Sequence, residues 1–415
     1  MTQQNIRVGL IGMGAMGKGL LYQCSITPGI ECVAVADIDA ERCAGALSEF
    51  GLSYESASPT RNAEAIIAAN RVAVLPDGDS VARCQAVDVV IEGSSGVASA
   101  IEHCITTLQN GKHLVLMNSE IDLTYGPLLS RIARQHGVVS TSCGGDQYGV
   151  LKELLDEIEG WGFQPVMAGN IKGFLDRYAN PTSIVFEADK RKLDYRMCTS
   201  YTDGSKLNVE MAIIANALGM MPARIGMLGP PLDHVSRVFD VFDFDALWKN
   251  RTPVVDYVLG AEPGGGVFAI GYCEHPYQRD MLAYYKMGNG PFYLFYRPYH
   301  LCHIEALKAV TMAARDGQVF LEPALGMRTN VYAYAKKDLK PGDMLDGLGG
   351  YAAYGLVETV ESDAANPGVP ICLAEDLQVK SPIRKDQKIL LADLIHDPGR
   401  ADFRRYAEAL ALSAN

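Results

Sequence analysis

The chain has 415 residues, more than one hydrophobic core organises, so two or three domains are expected. Its formal charge of −12 excludes a broad phosphate-binding face, and with it nucleic acid or an anionic membrane as the main partner. No uninterrupted apolar run approaches the roughly 18–20 residues of a bilayer span, Met1–Ile6 is too polar for a secretory signal, and the expectation is a cytosolic protein.

The run "IRVGLIGMGAMGKGLL" places Gly12, Gly14 and Gly17 between a short β-branched strand and a helical pattern. The first glycine allows a tight turn, the second lets backbone approach a pyrophosphate, and the third lets the helix pack close on the sheet. Met13, Ala15 and Met16, between them, fall beside the same pyrophosphate at the helix N-terminus. A second strand, "ECVAVADID", ends in Asp37, twenty residues beyond Gly17, where a carboxylate would bind the ribose hydroxyls. Asp37 and Asp39 repel the extra phosphate of NADP, so NAD is preferred; Arg42 stands close enough to accept that phosphate, so NADP stays open. The plain alternative is a glycine turn in an α/β protein without a nucleotide.

Strands recur with helices between them at "VDVVIEGS" (87–94), "KHLVLMN" (112–118) and "GVVSTSCGG" (137–145), the alternation of a doubly wound parallel sheet. Ligands gather at the carboxyl ends of such strands, which makes Gly93, Ser94, Ser95, Asn118, Glu120, Asp146 and Gln147 site candidates. Asp146 could equally cap the helix that follows. The ten cysteines are scattered singly, without zinc or redox spacing, and read as small core hydrophobes; Cys143 alone sits where it could line a site. Residues 1–160 thus form the expected dinucleotide-binding domain.

From 161 to 330 the pattern turns α+β. "FQPVMAGNIKGFLDRY" runs a strand into Asn170, Lys172, Asp176 and Arg177. The stretch "SYTDGSKLNVEMAIIANALG" predicts a helix apolar nearly all round, hence buried, yet Asp203, Lys206 and Glu210 fall on one stripe near its start. Ionised groups inside a core cost several kcal/mol each unless paired or wet, so this stripe is either an ion-pair network or an active site. Further on, a strand ends at Arg297-Pro298-Tyr299 and His300 opens a helix; His300, Cys302, His303 and Glu305 match no well-specified metal spacing.

On "GLIGMGAMG", "VDVVIEGS", "GKHLVLMNSEIDLTYGPLL", "GGDQYGVLKEL", "SYTDGSKLNVEMAIIANALG" and "YRPYHL", in that order, the chain resembles the homoserine-dehydrogenase-like oxidoreductases, and more closely the branch with the 1-deoxy-D-xylulose 5-phosphate reductoisomerase-like (type II) enzymes. The resemblance implies a central domain over 161–330 that forms the substrate site and the interface of a homodimer, with Asp203, Lys206 and Glu210 lining the active site. It also implies a SAF domain over 331–415, a small β-rich module. A faint echo between Lys340-Pro-Gly-Asp-Met-Leu and Lys385-Asp-Gln-Lys-Ile-Leu accords with that, although Asp386 stands where a glycine is usual, so its turn is expected to differ. Tyr351, Tyr354, Gly349 and Gly350 could join a substrate lid, and residues 398–415 read as a solvated helix. Two departures weigh on the substrate. Homoserine dehydrogenases carry Asn-Lys where this chain has Asn118-Ser119-Glu120, and the reductoisomerase-like enzymes resemble NADPH users, whereas Asp37 favours NAD.

The fold class expected is therefore α/β: a Rossmann doubly wound sheet, a central α+β catalytic domain and a small β-rich SAF domain. The function expected is an NAD(P)-dependent oxidoreductase of a small anionic polyol or keto-sugar derivative, with or without coupled isomerisation. Lys206 would hold the oxyanion or give the proton, Glu210 orient it, Asp203 shuttle it and His300 donate from a helix start. Lys172, Arg177 and Arg297 would anchor an anionic tail, and a divalent ion on the carboxylates is left undecided. The alternatives are a simple dehydrogenase of an aldonate, hydroxy acid or homoserine-type substrate, and a dinucleotide-bound sensor without catalysis.

Overall fold

The structure, a computed structural model, describes residues 4–58, 62–360 and 366–413. Its chain divides into two compact units whose segments alternate along the sequence. Met1–Asp146, Leu301–Glu322 and Arg404–Leu412 form one; Gln147–His300, Pro323–Phe403 and Ser413–Asn415 form the other. No helix among the described residues is long and apolar enough to cross a membrane.

The first unit is a seven-stranded parallel sheet of β1 (Ile6–Ile11), β2 (Ile30–Ala36), β3 (Tyr54–Ser56), β4 (Val72–Leu75), β5 (Val89–Glu92), β6 (His113–Leu116) and β7 (Ser140–Ser142), in the order β3-β4-β2-β1-β5-β6-β7. Val8, Leu10, Val89, Val90 and Ile91 are all fully buried, as parallel strands covered on both faces must be. The sequence thus foretold the doubly wound class, but not β3 and β4, whose three and four residues are too short to read as periodic. Later chain completes this unit. Leu321 lends its carbonyl to the Ser142 N–H at 2.9 Å and the Thr141 hydroxyl at 3.0 Å, and Arg405 pairs with Glu102 at 3.1 Å. Arg405 belongs to the helix Ala401–Ala411, which is not merely solvated as expected: Ala409 is fully buried.

The second unit holds a mixed sheet of β8 (Gln164–Lys172), β9 (Met221–Pro222), β10 (Val254–Leu259), β11 (Val267–Tyr272) and β12 (Phe292–Arg297), in the order β12-β11-β8-β10-β9. β11 runs antiparallel to both its neighbours, while β10 runs parallel to β8 and β9. Phe242, Phe244, Trp248, Phe268 and Tyr272 belong to the core on this sheet. The helix Ser205–Leu218 is buried at thirteen of its fourteen positions, which accounts for its lack of a polar face. It starts and stops at glycines in the left-handed region, Gly204 (φ +85°) and Gly219 (φ +71°). The helix is fastened to the C-terminal strands β13 (Thr329–Ala335) and β15 (Ala353–Thr359), an antiparallel pair. Gly355 N–H donates to Ser205 Oγ at 2.8 Å, Val357 N–H to Asn208 Oδ1 at 2.9 Å and Thr329 N–H to Asn216 Oδ1 at 2.8 Å.

A three-stranded sheet of β14 (Met344–Asp346), β16 (Glu375–Val379) and β17 (Leu394–Ile395) completes the unit. The two echoing turns prove alike rather than different. Asp343 N–H closes on Lys340 O and Gln387 N–H on Arg384 O, both at 3.0 Å, with Gly342 at φ +96° and Asp386 at φ +64° in the same third position. Aspartate tolerates that region better than most side chains, and here the Tyr178 and Tyr354 hydroxyls hold its carboxylate at 2.9 Å.

Candidate functional site

Each unit carries one polar centre. In the first it forms where β1 meets the helix Ala15–Ile26. Gly12 has φ +90°, and a Cβ there would lie 2.6 Å from Ser94 N; one at Gly17 would lie 1.9 Å from Gly12 O. Both contacts admit only glycine. A Cβ at Gly14 would meet nothing within 4 Å, so open space lies over the helix start, which no side chain caps. The helix N-terminus and its dipole therefore face open space beside Gly14, which fits a pyrophosphate. Ala15 is exposed and Met16 partly so, whereas the Met13 side chain is core.

Asp37 closes this cradle from the end of β2. Its Oδ2 accepts the Met13 N–H at 2.6 Å, its Oδ1 accepts the Asp39 N–H at 2.9 Å, and Arg42 Nη1 stands 3.6 Å away. Besides offering a carboxylate at the ribose position, it fixes the glycine turn. Across the β1/β5 boundary, Gly93, Ser94 and Asn118 are tied together: the Asn118 amide donates to Ser94 O at 2.8 Å and its Oδ1 caps the helix Ser119–His136 through Ile121 N–H at 3.2 Å. Glu120 on that helix is buried, with the Ser119 hydroxyl 3.2 Å from its Oε2. Asp122, unremarked in the sequence, is also buried there; desolvation pushes its carboxyl up to about 7 against the Ser142 hydroxyl that donates to it. Cys143 and Asp146 are buried as well. Glu92, His103 and Cys104 bring possible ligand atoms within 4.8 Å of one another. Both Glu92 oxygens are already bonded to Ser94 and His103, and burial raises the Cys104 thiol well above its ordinary range, so these groups read as a hydrogen-bonded cluster.

In the second unit the polar centre is made of side chains. β8 ends with Asn170 and Lys172. The Asn170 amide donates to Gln147, which opens the next helix back along the chain, while Asn170 Oδ1 is buried without a partner among the described residues. Lys172 Nζ donates to Tyr201 O at 2.6 Å. Burial holds its pKa below the usual lysine value, opposed by the charges of Glu210 and Asp203. Lys206 and Glu210 lie one turn apart on the Ser205–Leu218 helix, 6% and 2% exposed. Asp203 departs from the expected stripe: it precedes that helix as the C-cap of the helix Tyr195–Thr202. Its Oδ1 accepts the Ser205 N–H at 2.8 Å and its Oδ2 pairs with Lys336 Nζ at 2.8 Å. Burial pushes the Asp203 carboxyl up and Lys336 partly offsets it. Lys336, which the sequence gave no reason to single out, also donates to Ala179 O at 2.6 Å and Gly350 O at 2.7 Å.

Other candidates find different company. Arg177 lies over the Tyr354 ring at 5.2 Å, and Arg297, last residue of β12, over Tyr299 at 4.8 Å. The Tyr351 hydroxyl is 2.8 Å from that of Thr182. His300 does not open a helix, since the next begins at Cys302; the ring sits in the loop with Nδ1 2.7 Å from Gly265 O.

Comparison with known proteins bears on the second centre. Residues 145–306 match the family described as oxidoreductase DRL, catalytic domain, a segment that includes Asn170, Lys172, Asp203, Lys206 and Glu210. A homoserine dehydrogenase of Bacillus subtilis (strain 168) is 28% identical over 143 residues, which is 32% of this chain; the match spans only 28% of that relative's length. Among solved structures, a homoserine dehydrogenase from Thiobacillus denitrificans shares 14% identity at a TM-score of 0.49, covering 86% of this chain and 91% of its own. A probable dehydrogenase from Thermotoga maritima shares 13% at a TM-score of 0.43, covering 76% and 90%. The chain is thus similar to the DRL oxidoreductase catalytic domain over residues 145–306, and to a homoserine dehydrogenase over about a third of its length.

Proposed function

We propose that the protein is a nicotinamide-dinucleotide-dependent oxidoreductase of a small anionic polyol or keto-sugar derivative, with NAD preferred to NADP. The observation that carries the reading is the group of ionisable side chains Lys172, Lys206 and Glu210, the first half-buried and the other two buried, within the second unit. Such burial is costly and finds its use where charge develops in a reaction. Support on the cofactor side comes from the uncapped helix start over Gly14 and from Asp37, whose carboxylate disfavours a 2′-phosphate. A bound dinucleotide supplies hydride transfer; the protein's own groups handle the proton and the oxygen.

Lys206 holds the reacting substrate oxygen and gives or takes its proton, and Glu210, at i+4, orients the amine. Lys172, whose lowered pKa makes the neutral amine more available, serves as a second proton-handling group beside it. The bare Asn170 Oδ1 is an acceptor for a substrate hydroxyl. Asp203 is bound to Lys336, so its part is to hold the start of the helix that carries Lys206 rather than to shuttle a proton. Arg177 and Arg297 anchor the anionic end. Residues 331–415 as a SAF-like module and a homodimeric assembly belong to the same reading, and sedimentation equilibrium tests the assembly.

The test is nicotinamide oxidation with 1-deoxy-D-xylulose 5-phosphate, comparing NADH with NADPH, with and without magnesium. Substrate-dependent oxidation favouring NADH is expected. Lys206→Met should then slow turnover by about 10²–10⁴-fold with dinucleotide affinity unchanged. Near-intact turnover in that variant would remove Lys206 from the chemistry.

A further inference from the structure

Glu92 ends β5 with no exposed surface and both carboxylate oxygens engaged. Oε1 accepts the Ser94 N–H at 2.9 Å and also the Ser94 hydroxyl; Oε2 lies 2.6 Å from His103 Nε2 on the helix Val97–Gln109. Its backbone carbonyl accepts the Met117 and Asn118 N–H groups at 2.9 and 3.1 Å, and Asn118 returns its amide to Ser94 O at 2.8 Å. Residues 92–94 and 117–118 are thereby fixed at the carboxyl ends of two adjacent strands.

A buried carboxylate that serves only packing would be better replaced by leucine. This one spends its bonds on the shape of a loop. In a doubly wound sheet the two halves of a dinucleotide lie on either side of the switch point. Asp37 on β2 marks the adenosine side, and the carboxyl ends of β5 and β6 lie on the other. We propose that His103, acting through Glu92, is a positioning residue for the nicotinamide half of the cofactor, setting the Ser94–Asn118 loop against which that half docks. The inference rests on the dinucleotide reading above. His103 is itself held in place: its ring packs on Gly78, where a Cβ would come 2.8 Å from Nδ1, and the charged groups facing it besides Glu92 are Asp79 and, paired with that residue at 2.6 Å, Arg83.

The experiment measures affinity for NADH and, separately, for ADP, which carries the adenosine and the diphosphate but no nicotinamide riboside, by isothermal titration of the full chain. His103→Leu removes the donor to a buried charged acceptor, a change expected to weaken NADH by about 10–100-fold, with ADP moved less than about twofold on the argument that Asp37 and Gly14 are untouched. His103→Gln, whose amide can still donate to Glu92, should recover most of the NADH affinity. Wild-type NADH binding in His103→Leu overturns the proposal, as does an equal loss for both ligands or a failure of the Gln variant to recover. Where His103→Leu does not fold, His103→Asn, too short to reach Glu92, takes its place. A wild-type protein that binds neither NADH nor NADPH refutes the dinucleotide reading itself, a separate outcome visible before any variant is made.

Discussion

The first unit shapes its proposed anion cradle with backbone, at Gly12, Gly14 and Gly17, and the Asp37 side chain serves to fix that backbone. The second unit does the opposite. There the polar centre is Lys172, Lys206, Glu210 and the Asp203–Lys336 pair, and the backbone serves to hold side chains. A cradle made of N–H groups needs no counter-charge, because its charges are partial and already paid in the helix dipole. A centre made of ionised side chains has to be neutralised group by group, so its members come from distant parts of the chain.

That contrast can be broken most forcefully at Lys336. Lys336→Met leaves the Asp203 carboxylate buried without its cation, and unfolding in urea at pH 7.5 should show a loss of about 3–5 kcal/mol. At pH 4.5, where a lone buried carboxyl takes up a proton, the loss should shrink. An equal loss at both values would mean that Lys336 acts by packing alone.

The first unit offers the matching case without a cation. Asp122, raised to about 7 by burial, is protonated in the native state at a pH where the unfolded chain is ionised. Its contribution to stability is present in full below about pH 4, the ordinary aspartate value, and is lost as pH rises through about 7, on the order of 3–4 kcal/mol in all. Asp122→Asn, which stays neutral, should flatten the fall in unfolding free energy between pH 5 and 8; an unchanged slope would show that Asp122 titrates normally.

The smallest effect is the steric one. Gly17→Ala puts a methyl within 1.9 Å of Gly12 O and should cost about 1–3 kcal/mol of stability, together with most of the NADH affinity, because the turn has to open. Thermal melts and titration with NADH would both register it, and an alanine variant that bound NADH normally would mean that the turn is not the cradle.

The same contrast explains what could be read in advance. Gly12, Gly14, Gly17 and Asp37 announce themselves because a backbone cradle demands fixed residue types at fixed spacing. Lys206 and Glu210 were legible as an anomaly, charge within a helix that has no polar face, but Asp203 was grouped with them although Gly204 stops one helix and starts the next. Lys336 carries no local signal; its meaning lies in Asp203 and in the carbonyls of Ala179 and Gly350, none of them near it in sequence. His300 was misplaced because Leu301, an apolar residue, holds the cap position where a polar one is the usual mark of a helix start. Glu92 was hidden inside a strand motif read only for its glycine and serine, and its partner His103 lies beyond that motif on the helix Val97–Gln109.

All seven strands of the first sheet are in hand by Ser142, yet the unit borrows Leu301–Glu322 and Arg404–Leu412 from far downstream. A nascent chain halted near residue 300 would own every strand and still lack the carbonyl that meets Thr141 and the guanidinium that meets Glu102. Maturation of the first unit is therefore tied to stretches translated long after its own last strand, and a cut between the two units would sever one protein into fragments that each miss part of themselves.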